Sequence, residues 1–211
     1  MTEVALTAFA TLFVVIDPLG NLPIFVALTS GEAPSHKRRM AFKGVAIAAA
    51  VFAFFAVVGA RLLDLLGIGI PAFRAAGGLM LLMIAIEMVF EKRNERRSET
   101  ADKIASEAGP RDISVFPIAI PLVSGPGAIT SLVLLLSRYQ GDAPAQGIVL
   151  AMLGVVLLVS FLLFLLAGPI ERVLGETVIA VISRLLGILL AALAVQFIFD
   201  GLWEGLLHRG P

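Results

Sequence analysis

The 211-residue chain contains no cysteine, two histidines, one tryptophan, one tyrosine and only 15% charged residues. Without cysteine it has neither disulfides nor thiolate nucleophiles. Sixteen basic and sixteen acidic residues give a net charge of zero, so charge does not indicate a nucleic-acid partner. No G-x-x-x-x-G-K-[ST] motif is present, so we do not expect ATP to be a direct energy source. We expect no metal and no cofactor.

Apolar residues dominate what remains: 59% of the chain is hydrophobic and the mean hydropathy is +0.99. A helix needs about 20 apolar residues to cross a bilayer. The sequence predicts an all-α membrane protein with one transmembrane domain, residues 1–211, and six crossings. The six stretches are Val4 to Thr29, Met40 to Ala60, Pro71 to Phe90, Ile113 to Ser137, Gln146 to Gly168, and Thr177 to Asp200.

The connections after the first, third and fifth stretches carry most of the lysine and arginine. Cytoplasmic loops retain this positive excess, so we expect both termini outside and residues 91–112 in the cytoplasm. The first stretch is expected to be retained, because Glu3 stands where a signal peptide has basic residues. The cytoplasmic loop mixes acids and bases and is interpreted as a solvated linker.

The chain contains an internal repeat. Gly20 and Gly127, each in an interrupted apolar stretch, are separated by 107 residues, and Arg74 and Arg184, each followed by glycine three residues later, by 110. Residues 1–90 and 113–211 would each supply three crossings. Because three is odd, the halves would have opposite orientations, and such inverted repeats are typical of secondary transporters.

The interruptions are "FVVIDPLGNLPIFVAL" in the first stretch and "IPLVSGPGAITSLVLLL" in the fourth. Asp17 lies roughly 20 Å along its helix and Ser124 roughly 17 Å along its own, so both fall near mid-bilayer. Unpaired backbone is costly in lipid, which indicates a use. We expect Asp17 to cap a half-helix that begins at Pro18, and the half-helix N-termini to bind a small carboxylate. The preceding carbonyl ends would face an ammonium group.

The candidate residues allow structural alternatives. Asp17 is a helix cap, a ligand for an ammonium group or proton, or both, and Asn21 either binds substrate or repairs the broken backbone. Ser131 is a further candidate for the pocket lining, although helical hydroxyls often bond their own backbone. Arg74 and Arg184 either extend to the headgroups or pair with an acid or a substrate carboxylate. The predicted substrate-binding residues are Asp17, Pro18, Gly20, Asn21, Ser124, Gly125, Pro126, Gly127 and Thr130.

Enzymatic activity is not expected, because both histidines, His36 and His208, lie outside the crossings and no membrane serine has an evident base. An intramembrane enzyme and a passive channel or scaffold remain the alternatives to a transporter. The sequence leaves the oligomeric state open, a homo-oligomer included.

Four motifs together resemble the MarC family of six-helix prokaryotic membrane proteins. They are "DPLGN", "GIPAFRAAGG", "PLVSGPGAIT" and the Arg-x-x-Gly of the sixth stretch, and the resemblance spans nearly the whole chain. It implies a multi-pass protein of the prokaryotic plasma membrane, with discontinuous helices 1 and 4 that enclose the substrate. The family includes SnatA-type transporters of small neutral amino acids such as glycine and alanine.

The resemblance implies that two sets of residues face each other across the substrate: Asp17, Pro18, Gly20 and Asn21 in helix 1, and Gly125, Pro126 and Gly127 in helix 4. It also implies that the partners are an amino acid and membrane lipids. Many family members carry asparagine where this chain has Asp17. The resemblance therefore does not require a proton at this position, and transport coupled to protons or driven by the substrate gradient both remain open.

Overall fold

The computed structural model describes residues 1–90, 119–120 and 123–207. The predicted cytoplasmic loop, residues 91–112, lies outside the described residues. Within the described ranges all regular structure is helical, which confirms the predicted class. The helices are α1 (Thr2–Ile16), α2 (Leu22–Leu28), α3 (Pro34–Leu65), α4 (Ile70–Val89), α5 (Pro126–Arg138), α6 (Ala143–Leu165) and α7 (Ala167–Leu207).

Four helical segments are long and apolar enough to cross a membrane: Pro34–Leu65, Ile70–Val89, Ala143–Leu165 and Thr177–Leu207. In the most apolar 18-residue stretch of each segment, only 17–33% is buried inside the protein. Most of these side chains therefore face outward. Large apolar residues exposed in this way are stable in lipid rather than in water. The helices α1 and α5 are apolar too, but they are shorter.

Proline marks where most of these helices begin. The first turns of α2 to α6 each contain one, namely Pro23, Pro34, Pro71, Pro126 and Pro144. Proline is tolerated there because the first N–H groups of a helix have no intrahelical acceptor. Asp142 adds a cap to α6, since its carboxyl oxygen accepts the Ala145 N–H at 3.0 Å.

The helix α7 contains one interruption, at Gly175, whose backbone has φ 70° and ψ 159°. Glycine adopts this conformation without the steric penalty that a Cβ would impose. The part of α7 that is long and apolar enough to cross a membrane begins just after it, at Thr177. This is the residue at which the sequence predicts the sixth crossing to begin.

The most extensive helix pair is α4 with α7, and the two run antiparallel in close contact. The start of α4 meets the end of α7, where a Cβ on Gly201 would lie 2.6 Å from the backbone of Pro71 and Ala75. The end of α4 meets an earlier part of α7, where a Cβ on Gly187 would lie 2.9 Å from Met88. Small residues permit this approach, which is how membrane helices gain van der Waals contact.

The two short helices lie at the centre of the bundle. The helix α1 packs against α5, α6 and α7, while α5 also contacts α3 and α4. Their side chains supply much of the fully buried core, together with α2 and α4. These residues are Leu12, Ile16, Leu22, Leu81, Leu132 and Leu135. The chain interruptions next to α1 and α5 therefore lie inside protein, where their polar backbone can be satisfied.

Candidate binding site at the two interrupted helices

The first interruption begins at Asp17, which ends α1. Its backbone is left-handed, with φ 52° and ψ 63°, and its N–H still donates to the Phe13 carbonyl at 2.9 Å. This conformation costs an ordinary residue roughly 1–2 kcal/mol, and aspartate tolerates it because its side chain can bond locally. Here Asp17 Oδ1 accepts the Gly20 N–H at 3.0 Å. Asp17 is 1% exposed, so this bond is shielded from water.

Gly20 and Asn21 complete the turn. A Cβ on Gly20 would lie 2.1 Å from Asp17 Oδ2, so no larger residue fits while the carboxyl group occupies this position. Asn21 Nδ2 donates to the Ile16 carbonyl at 2.9 Å, which satisfies a carbonyl that the end of α1 leaves open. Asn21 therefore repairs backbone, one of the two roles predicted for it.

The helix start after this turn differs from the prediction. The helix α2 begins at Leu22 with Asn21 as its N-cap residue, and its first-turn proline is Pro23 rather than Pro18. The reason is that Asp17 closes the turn on itself: its carbonyl accepts the Asn21 N–H at 3.2 Å, and its carboxyl group accepts that of Gly20. Helical geometry can resume only after Asn21, and Pro18 is left within the turn.

The second interruption lies at Ser124 and Gly125. The Ser124 N–H and hydroxyl both donate to the Ala119 carbonyl, at 2.9 and 2.8 Å. This bond spans five residues, the spacing of a π-helical turn, which often accompanies functional sites. Gly125 is extended, with φ −68° and ψ 163°, and Pro126 opens α5. The proline-first arrangement predicted for the first interruption therefore occurs at the second.

The N-terminus of α5 has no side-chain cap, and Gly127 and Ala128 in its first turn are buried. Gly125 has no side chain to cap the helix, and the N–H groups of Gly127 and Ala128 have no acceptor within a regular helix. A Cβ on Gly127 would lie 2.5 Å from Ile84 Cδ1 on α4 and 3.7 Å from Val15 Cγ1 on α1. The positive end of α5 therefore adjoins the last turn of α1, two residues before Asp17.

Thr130 and Ser131 extend the site along α5. Thr130 is 7% exposed and packs on α4, where its Cγ2 lies 2.4 Å from the position of a Gly77 Cβ. Ser131 is fully buried, and its hydroxyl has no hydrogen-bond partner among the residues that the structure describes. A buried, unpaired hydroxyl is rare enough to need an explanation, such as a water molecule or a ligand.

The two candidate arginines lie elsewhere. Arg74 Nη1 donates to Glu204 Oε1 on α7, so its guanidinium forms an ion pair that links the ends of α4 and α7. Arg184 is exposed on α7, one turn before the contact of Gly187 with α4. Arg74 therefore pairs with an acid, one of the alternatives predicted for it. No local sequence pattern points to Glu204, which lies 130 residues away.

These features define a class: an α-helical, multi-pass integral membrane protein with interruptions at two buried, adjoining positions. The comparison with protein families gives the particular assignment. Residues 2–206 match the family described as MarC family integral membrane protein. The chain belongs to the MarC family, as its motifs predict.

Curated relatives agree with this assignment. The chain is 35% identical to a UPF0056 membrane protein of Archaeoglobus fulgidus, an alignment that covers 95% of this chain and 92% of that protein. It is 34% identical to UPF0056 membrane protein YvbG of Bacillus subtilis, covering 92% of each chain. It is also 34% identical to UPF0056 membrane protein YhcE of Escherichia coli, covering 95% of this chain and 94% of that protein. No solved structure matches the chain.

Proposed function

We propose that this protein is a secondary transporter of small neutral amino acids such as glycine and alanine. The observation that carries the proposal is the meeting of two buried interruptions, one at the end of α1 and one at the start of α5. Interrupted helices at the centre of a membrane bundle are a common way to build a transporter site.

The two helix ends suit a zwitterion. The start of α5 presents N–H groups and about half a positive charge, which favours the carboxylate of an amino acid. The end of α1 presents carbonyl groups and the Asp17 carboxyl group, which suit an ammonium group. Because Gly127 lies close to Val15, the two ends are near enough to bind one small molecule together.

The surroundings favour a small side chain. Gly20 and Gly127 have no side chains, and the space beside each is already occupied: by the Asp17 carboxyl group at Gly20, and by Ile84 and Leu81 at Gly127. A substrate that enters here has little room beyond its backbone atoms. Glycine and alanine fit this restriction better than large or charged amino acids do.

The packing of the helices supports a fold of two inverted repeats with six crossings. Exchange of the repeats replaces α1 by α5, α3 by α6 and α4 by α7. The contact of α1 with α6 then becomes that of α5 with α3, and the contact of α1 with α7 becomes that of α5 with α4. The pairs α4 with α7, α3 with α6 and α1 with α5 map onto themselves. All of these contacts occur.

Transport would require movement at the interruptions. Asp17, Asn21 and Ser124 are each 1% exposed, so access to the site needs a displacement of the half-helices. Rocking of one repeat against the other is the usual form of this motion. Transport would be driven by the substrate gradient, as in an exporter, or by a proton gradient.

The direct test is flux in liposomes. We expect purified protein to accumulate labelled glycine or alanine when the vesicles are preloaded with unlabelled substrate, and to show saturation. Counterflow of this kind distinguishes a transporter from a channel. Absence of flux above empty vesicles, under proton or substrate gradients of either direction, would overturn the proposal.

Replacement of Ser131 by alanine separates binding from folding. Ser131 lies one turn after Gly127 on the same face of α5. Loss of its hydroxyl should weaken glycine binding by about 5- to 10-fold, the value of one ordinary hydrogen bond. Stability should not fall, because no partner among the described residues loses a bond.

The matched control is Ser160→Ala. Ser160 is equally buried, but its hydroxyl donates to the Val156 carbonyl at 2.8 Å within its own helix. Its replacement should leave glycine affinity unchanged in a calorimetric titration. Equal affinities of the Ser131→Ala variant and the parent protein would remove Ser131 from the site.

A further inference from the structure

A cavity of about 290 Å³ lies where the end of α2 and the start of α3 meet the end of α6 and the start of α7. Its charged lining consists of Glu32, Lys37 and Arg38. Its apolar wall includes Phe25 and Phe164, whose rings stack with centroids 4.7 Å apart. The cavity therefore combines basic side chains with an apolar surface.

The charge of the lining favours an anion. Two basic residues face one acid, and the 32-residue helix α3 begins at the cavity with Pro34 and without a side-chain cap. The first N–H groups of this helix add positive partial charge. Glu32 also lies 4.0 Å from His36 Nε2, so part of its negative charge is directed toward that imidazole.

The surroundings of the cavity favour an amphiphile over a soluble anion. At the end of α6, Leu162, Leu165 and Leu166 are 46%, 36% and 52% exposed, and Leu165 itself lines the cavity. On α3, Phe42 is 63% exposed and contacts the ring of Phe161. An acyl chain can lie along this outward apolar surface while the head occupies the charged end. Inorganic phosphate would make no use of it.

We propose that this cavity binds the headgroup phosphate of an anionic phospholipid at Lys37 and Arg38, with the acyl chains along the outer face of α6. Basic pockets between transmembrane helices at the membrane boundary bind lipid headgroups in this way. Lys37 and Arg38 lie on α3, outside both interruptions, and the proposal does not depend on transport activity.

The test measures lipid binding to the whole detergent-solubilised protein, by native mass spectrometry and by the rise in Tm. The probes are phosphatidylglycerol, phosphatidylcholine and inorganic phosphate, each added alone. We expect phosphatidylglycerol to bind most tightly. The double variant Lys37→Gln/Arg38→Gln should weaken its binding by about 30-fold, since each basic residue near an anionic headgroup contributes roughly fivefold.

Two further variants make the test specific to the cavity. Arg39→Gln removes an exposed charge at the next position of α3, and Arg39 is not among the residues that line the cavity. This variant should change phosphatidylglycerol binding by less than about fivefold. Glu32→Gln removes the acid from the lining and should tighten phosphatidylglycerol binding. This opposite sign distinguishes the site from a general effect of charge on stability.

Three results would overturn the proposal. The first is equal binding of phosphatidylcholine and phosphatidylglycerol, and the second is equal weakening by Arg39→Gln and the double variant. The third is the same increase in Tm with inorganic phosphate as with the lipid, which would assign the cavity to a soluble phosphate compound. If the double variant lowers Tm without lipid, the mass-spectrometric occupancy of the folded protein still provides the comparison.

Discussion

Alanine at Gly201 is expected to lower the free energy of unfolding by about 3 kcal/mol, the upper range for overpacking a buried contact. A Cβ at this position would lie 2.6 Å from both the Ala75 nitrogen and the Pro71 carbonyl oxygen. Both are backbone atoms of α4, so no side-chain rotation can relieve the overlap. The two helices would have to separate along the most extensive contact of the bundle.

The measurement is the midpoint of unfolding by sodium dodecyl sulfate or heat in mild detergent, with Gly205→Ala as the matched control. Gly205 lies one turn further along α7, and its nearest neighbour is Pro71 Cβ at an ordinary 3.7 Å. Alanine there should stabilise the helix by up to about 1 kcal/mol. Equal effects of the two substitutions would show that α4 and α7 do not approach this closely in the protein.

The interruption of the first helix could be predicted from sequence, because its physical cause is local. Proline, glycine and two hydrogen-bonding side chains within five residues cannot continue an apolar helix without a reason. The structure confirms the interruption, which runs from Asp17 to Asn21 between α1 and α2. The long crossings could be predicted equally well, because their prediction requires only length and hydropathy.

The internal geometry of that interruption was not predictable. Pro18 and Pro23 are both suited to the first turn of a helix, and a propensity cannot choose between them. The choice depends on Asp17, whose left-handed backbone and carboxyl group close a turn with Gly20 and Asn21. A closed turn is a joint property of several bonds, whereas capping rules consider one residue at a time.

Contacts between distant segments are even harder to predict from the sequence. The repeat predicts that Arg74 and Arg184 are related, but the partner of Arg74 depends on how α4 and α7 slide along one another. That register is fixed by contacts such as Gly78 with Ala194 and Gly201 with Ala75, which bring Glu204 to Arg74. Local periodicity contains no information on such a register. The six-crossing inverted repeat stays a prediction that the helix contacts support.

Glycine at position 17 is expected to preserve the fold and abolish most transport. The substitution removes the Gly20 hydrogen bond, worth about 1 kcal/mol. It also relieves the left-handed backbone strain, which costs aspartate roughly as much. These two effects act in opposite directions, so we expect Tm to fall much less than transport does. Alanine would be a poor choice here, because it keeps the strain and loses the bond.

Under the proposed function, transport should respond differently, because the ammonium group of the substrate would lose a buried carboxyl group. Hydrogen bonds to charged groups contribute about 1.5–3 kcal/mol, so glycine flux should fall by at least about tenfold. The measurements are counterflow in liposomes and Tm of the same preparation. Normal transport by the Asp17→Gly variant would remove Asp17 from the mechanism and leave it the structural role of closing the turn.

Asparagine at position 17 identifies which property of the side chain is used. It retains an acceptor oxygen for the Gly20 N–H and tolerates left-handed backbone, but it cannot carry a proton. Because asparagine can still accept the Gly20 N–H and can still offer an oxygen to an ammonium group, we expect this variant to keep most of the flux. Any proton-driven component should then persist as well, since Asp17 would not be the coupling group. A loss as large as that of the glycine variant would show that the ionisable carboxyl group itself is required.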